Sequence, residues 1–258
     1  MSHRFARRVR AGLHWSLAHH MNKTLLLLLL AVAASAADLK VDHVTFAGRD
    51  LKQMQAQFAA MGIRTESGGK HTNGLSEMAL ASFADGSYLE LIAAIDPKAG
   101  APSHYWGKFI DDSAGPCAWA IRVDKLDGKE SGRNRPDGVQ LKWRSANVGT
   151  EVQGTFFPFM IQDLTDRALR AFPSGKPTMP SWRGVAEVRI AVRNLKEAAD
   201  RYRSQFKLQA PHRTGNMALF KGTPVVLVAG ETERLNKFGE GVFAFVIAGE
   251  GGKTHLIR

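Results

Sequence analysis

The sequence carries a single cysteine, Cys117, in 258 residues. That scarcity excludes an intramolecular disulfide framework and any cysteine-rich zinc module. No apolar run reaches the roughly 20 residues that a helix needs to cross a bilayer. Spacing supports no Ser-His-Asp arrangement. The glycine clusters Gly239-Glu-Gly241 and Gly249 to Gly252 lack the strand-then-helix context of a dinucleotide loop. Acids are absent from the first 36 residues. What is plentiful is ordinary: 44% hydrophobic and 23% charged residues exclude wholesale disorder. The length allows one large domain or two small ones.

The formal net charge of +11 invites a nucleic-acid or membrane-surface reading, until the N-terminus is weighed. Lys23, the run from Leu25 through Ala33, and Ala34-Ser35-Ala36 have the order of a secretory signal peptide: basic, apolar, then small-x-small. Residues 1–36 are therefore read as a leader. Residues 1–20 are either a long basic n-region or an over-extended start before Met21. Removal through Ala36 takes five basic residues and leaves 222, of which 30 are basic and 24 acidic, a net charge of +6. The expected protein is exported, periplasmic or secreted, with no stable membrane insertion after cleavage. Without an aromatic-basic motif, a nucleic-acid partner is not expected.

The mature part reads as short strands and few helices. Val41-Asp-His-Val-Thr-Phe-Ala47 alternates with period two, placing Val41, His43, Thr45 and Ala47 on one face. Asp50 then caps a helix with Leu51, Met54, Phe58 and Met61 on one side, ended by Gly62. Ile63 to Thr65 reads as a short strand and Gly68-Gly69 as a turn. Two strands follow, Met78 to Phe83 and Tyr88 to Ile92, joined by an Asp-Gly hairpin. The unit is β-α-β-β-β. Its opening recurs 144 residues later, where Val185 to Leu195 aligns without gaps on Val41 to Leu51. A duplicated supersecondary unit is the physical reading. Weaker copies begin at Cys117 and Val242. In the first of these, the polar span Asp124 to Asp137 reads as a loop in place of the helix. In the second the chain ends early. The expected organisation is a module pair over 37–171, a linker near Phe172 to Pro180, and a truncated pair over 181–258.

Chemistry concentrates on one sheet face. His43 shares a face with Thr45, and Glu90 shares one with Tyr88 and Ile92. A carboxylate in the middle of Tyr-Leu-Glu-Leu-Ile needs a partner. An imidazole and a carboxylate on neighbouring strands suit a divalent metal; otherwise His43 is a hydrogen-bonded, half-buried strand residue and Glu90 pairs with Lys40, Lys70 or Arg122. His71 lies nearby in a Gly-rich stretch. Arg144 could hold an anion as a fork donor, with Trp143 on the opposite face of the same strand.

These stretches resemble the vicinal oxygen chelate superfamily, and within it the glyoxalase-like domain group. The matching segments are Val41-Asp-His-Val with Arg49-Asp-Leu; Gly68-Gly-Lys-His71; Phe83-Ala-Asp-Gly-Ser-Tyr-Leu-Glu-Leu-Ile92; Arg135-Pro-Asp-Gly-Val-Gln-Leu-Lys-Trp-Arg144; and Phe157-Pro-Phe-Met-Ile161. The resemblance implies an α+β fold of repeated βαβββ modules forming curved mixed sheets, as in glyoxalases and dihydroxybiphenyl dioxygenases. It implies a divalent metal (Zn, Mn, Fe, Co or Ni) on His43, Glu90 and His71, and a lyase, isomerase or dioxygenase acting on a small oxygenated molecule. Glu187, the repeat's counterpart of His43, becomes a ligand or general base. Tyr88, Trp143 and Arg144 become substrate contacts. The pattern departs from the family where Glu90's counterpart falls in Pro224 to Val228, which offers no ligand. A non-catalytic small-molecule-binding protein with a degenerate metal site is the alternative. The truncated fourth unit makes a homodimer plausible.

Overall fold

The computed structural model describes residues 38–96, 98 and 104–258; the expected leader lies outside them. The first unit is β1 (Val41–Ala47), α1 (Leu51–Ala60), β2 (Glu66–His71), β3 (Ser76–Ser82) and β4 (Tyr88–Ala94). A short helix, α2 (Gly107–Asp111), leads into β5 (Gly115–Arg122), β6 (Lys129–Asn134), β7 (Gln140–Asn147) and β8 (Phe159–Asp163), then α3 (Arg167–Ala171). These eight strands close into a barrel in the order β1-β4-β3-β2-β6-β7-β8-β5. Two seams join the units, both antiparallel: β1 on β5 and β2 on β6.

The third unit is β9 (Trp182–Val192), α4 (Leu195–Phe206), β10 (His212–Thr214), β11 (Met217–Leu219) and β12 (Val225–Ala229). After α5 (Thr232–Phe238) come β13 (Gly241–Gly249) and β14 (Thr254–Ile257). Together they form a six-stranded sheet ordered β10-β11-β12-β9-β13-β14. The chain is thus α+β with curved mixed sheets, as the resemblance implies.

The 144-residue repeat is visible in the backbone. Helices α1 and α4 start at Leu51 and Leu195 behind Asp50 and Asn194, whose φ/ψ are −124°/110° and −124°/108°. Both side chains accept hydrogen bonds from first-turn amides, satisfying donors the helix leaves open. In the first unit Thr45 sits opposite Glu90 on parallel strands. In the third, Arg189 sits opposite Val226, which stands where Glu90 does.

Three local readings need correction. Residues 63–65 are not a strand, and Gly68-Gly69 is not a turn but the middle of β2. A register shift lies between Ser67 and Gly69, where Gly69 takes φ +95°. The span from 124 to 137 does lack a helix, yet it contains β6. Both β2 and β6 are polar strands, so hydrophobic periodicity is silent there. Third, Val41 does not share a face with His43. It packs with Val44 on the outer side of the barrel, because a register shift between Val41 and His43 makes Asp42 a bulge residue.

The main core fills the layer between the outer barrel face and the second sheet. Val44, Phe58, Leu91 and Trp119 meet Val188, Ile190, Tyr202 and Phe245 there, all buried. Tyr202 is fully enclosed, and its hydroxyl donates to the Phe156 carbonyl. A second cluster, with Ile92, Ala118, Ala120, Trp143, Phe159 and Ile161, lines the barrel interior.

Candidate functional site

The barrel interior opens as a cavity of about 440 Å³, within the range of small-molecule sites. His43 from β1, His71 from β2 and Tyr88 and Glu90 from β4 line it. Met78, His104, Trp106, Lys129, Arg133, Trp143, Phe159 and Arg170 complete most of the wall.

Glu90 is 4% exposed and sits at the centre. The Thr45 hydroxyl donates to its Oε2 at 3.0 Å. His43 Nε2 lies 3.5 Å from Oε2, and His71 Nε2 lies 3.7 Å from Oε1. His43 stacks on Tyr88 with ring centroids 4.9 Å apart.

Each imidazole is oriented from behind. The Asp42 bulge turns its carboxylate onto its sequence neighbour, so His43 Nδ1 donates to Asp42 Oδ1 at 2.7 Å. In a regular strand the two side chains would face opposite sides. Asp42 is fully buried, and Arg170 forks onto it at 2.9 and 2.7 Å while Arg167 also donates to it. Burial alone would push this carboxyl up. The Arg170 charge and the bonds from His43 and Arg170 override it and hold Asp42 well below the usual carboxylate range. Asp42 is therefore an acceptor, and His43, donating to it from Nδ1, turns its Nε2 to the cavity.

His71 is set by a longer chain. The Trp106 amide donates to His104 Nδ1 at 3.0 Å. Neutral His104 must then carry its proton on Nε2, which lies 3.3 Å from Ser76 Oγ. Burial pushes His104 down to about 4, so it is neutral at pH 7. Ser76 Oγ accepts from His104 and also shares a hydrogen bond with His71 Nδ1 at 3.0 Å. His71 Nε2 is thereby aimed at Glu90. Burial also lowers His71 from its ordinary value, against the opposing pull of Glu90. The Glu90 carboxylate thus lies between two imidazole nitrogens, one from each histidine.

The buried, neutral His104 has a consequence for stability. Its native pKa lies below its unfolded value of 6.5, so below pH 6.5 the unfolded chain takes up a proton the native state refuses. Stability is intact above pH 6.5 and falls as pH drops towards 4, by up to about 3 kcal/mol. Urea unfolding of wild type and His104→Asn at pH 7.5 and 4.5 checks this. The gap between the two proteins should narrow or reverse at the lower pH, and parallel profiles would refute it.

The structure brings His43, His71, Glu90, Tyr88 and Trp143 together and leaves two expected residues out. Glu187 lies on β9 in the other sheet, half-buried and paired with Arg189 at 2.9 Å. Arg144 turns outward on β7 to pair with Glu130 at 3.0 Å; the guanidiniums inside the cavity are Arg133 and Arg170. Asp42, Ser76, His104, Arg133 and Arg170 are not evident from sequence spacing. The usable signals are an acid next to His43 in a buried strand and two arginines, Arg167 and Arg170, one helical turn apart.

The donor set does not fit a resident metal. Among the described residues, no three His, Cys, Asp or Glu side chains converge as ligands of one ion. The second unit turns Ala118, Ala120, Phe159 and Ile161 toward the same space, all apolar.

Comparison with known proteins gives the family. The model of the glyoxalase-like domain matches residues 41–206. No curated protein matches. Among solved structures, a hypothetical protein from Staphylococcus aureus is similar at 14% identity, with 74% of this chain and 86% of that chain covered and a TM-score of 0.59. A Mn(II)-bound glyoxalase from Novosphingobium aromaticivorans aligns at 10% identity over 84% of this chain and 81% of that one, with a TM-score of 0.41. The matched span takes in the whole barrel and every cavity residue named above, and on that extent the chain belongs to the glyoxalase-like domain family.

Proposed function

We propose that the protein is an isomerase or lyase that moves a proton at carbon next to a carbonyl of a small oxygenated molecule. The observation that carries this reading is Glu90, a buried carboxylate held between the Nε2 atoms of two imidazoles. The Glu90 carboxylate accepts the proton of the carbon acid. His71 Nε2–H donates to the carbonyl oxygen as it gains charge, the role of a fixed donor aimed at a developing oxyanion. The lone pair on His43 Nε2 takes the proton onward from Glu90, and the ionised Asp42 stabilises the imidazolium that results, as a buried carboxylate does in a triad. The reading calls on the chain's own side chains for every proton.

The test is solvent exchange. Wild-type protein in D2O is incubated with a panel of hydroxyketones, 2-oxo acids and 2-hydroxy acids, and proton NMR follows loss of the carbon-bound hydrogen. Exchange above the uncatalysed rate for at least one member is expected. None across the panel, with saturable binding retained, would leave a non-catalytic binding protein on the same cup.

The leader reading completes the proposal. The protein is exported, and its mature chain starts at Ala37. N-terminal sequencing of protein made with its own leader checks this, and an intact Met1 or Met21 would overturn it.

A further inference from the structure

We propose that the cavity takes an aromatic carboxylic acid, its carboxylate seated on Arg133 and its reacting carbon at Glu90. The proposal rests on the proton-transfer reading for the second contact and on independent observations for the first.

Arg133 is 1% exposed and lines the cavity. Its protein contacts are the Gly68 carbonyl at 3.1 Å, the Arg170 carbonyl at 2.6 Å and the Met78 sulfur at 2.9 Å. Among the described residues it forms no ion pair with a carboxylate. A buried guanidinium is costly unless paired, and of its five donors these contacts take three, leaving one on Nε and one on Nη2. The other cavity arginine is the contrast. Arg170 is neutralised by Asp42 and Asp163, and Glu130 on the rim is matched by Arg144. Lys129 adds a second cation to the wall that carries Arg133, leaving Glu90 as the counter-charge across the space.

The sequence also keeps room for this group. A Cβ at Gly68 would lie 2.3 Å from Arg133 Nη1 and 1.8 Å from the Met78 sulfur. The Gly68-Gly69 bulge therefore admits the guanidinium into the wall. The remaining wall is aromatic, with Tyr88, Trp106, Trp143 and Phe159. A ring with a carboxylate matches both features: the fork takes the two oxygens side by side, and the aromatic faces take the ring. Binding the carboxylate at Arg133 also directs the ligand's other end towards Glu90.

Quenching of the fluorescence of Trp106 and Trp143 gives the readout. Phenylpyruvate is titrated against its methyl ester, which keeps ring and carbonyl and loses the charge. The acid should bind at least about tenfold tighter, a difference of roughly 1.4 kcal/mol. Arg133→Met should cost the acid that factor and leave the ester unchanged, while Arg133→Lys should recover part of it. If Arg133→Met does not fold, the acid-to-ester ratio on wild type and its decline with salt still decide. Equal binding of acid and ester, equal loss of both in Arg133→Met, or no binding of either at millimolar concentration overturns the proposal. Its failure is separable from that of the proton-transfer reading: exchange on neutral hydroxyketones alone sinks the carboxylate seat and keeps the reaction. Tight phenylpyruvate binding with no exchange does the reverse.

Discussion

Asp42→Ala should destabilise the protein by about 3–5 kcal/mol, the usual cost of removing one partner from a buried ion pair. Asp42 is fully enclosed. Its loss strips two bonds from Arg170, one from Arg167 and the orienting acceptor from His43. Arg170 is itself 1% exposed, and burial alone would lower it; the Asp42 charge is the first influence that holds it well above its ordinary value. Among the described residues Asp163 is the other acid bonded to Arg170. The urea midpoint is the measurement, with Asp42→Asn as a milder companion that keeps the shape. The sign with pH follows from the lowered native pKa. The contribution is present above the unfolded value near 4 and is lost only as acid reaches the native one. Wild type and variant should therefore converge in strong acid and differ fully at pH 7. A loss under about 1 kcal/mol at pH 7 would mean that Asp163 alone neutralises the two arginines.

Glu90→Gln should lower the exchange rate by roughly 10²–10⁴, the usual contribution of a positioned general base. The amide is nearly isosteric, and the Thr45 hydroxyl can still donate to its carbonyl, so the fold should be kept. The loss should appear in kcat with KM little changed, because the base acts on the transition state rather than on ground-state binding. Retention of a third or more of the wild-type rate would remove Glu90 from its role and leave His43 as the candidate base. Asp42→Ala acts through the wall, while Glu90→Gln acts on the reacting atoms.

The parts of the fold with a hydrophobic rhythm were legible in the sequence. The caps at Asp50 and Asn194, the 144-residue repeat and the strands around Glu90 all follow from local rules, and the structure places His43, His71 and Glu90 around one cavity. Strands β2 and β6 escape such rules, since one face of each meets a polar cavity and neither carries an apolar stripe. The residues missed share a cause. Asp42 is invisible because a bulge, which depends on the neighbouring strand, rotates it onto His43. Arg170 reaches Asp42 across 128 positions of chain, and Ser76 joins two histidines 33 residues apart. Glu187 was placed by repeat alignment alone, and the alignment is right. What it could not carry is which sheet faces the cavity.

Strands β2 and β6 meet through two register pairs, Lys70 with Asn134 and His71 with Arg133, fewer than any other neighbours in the barrel. The last of these pairs joins the proposed proton donor to the proposed carboxylate seat, one from each half of the duplicated barrel. Neither half alone owns a working pocket. On the proposed roles, recognition and reactivity both hang on the barrel's shortest stitch, so any strain that unpicks it removes the two in one motion.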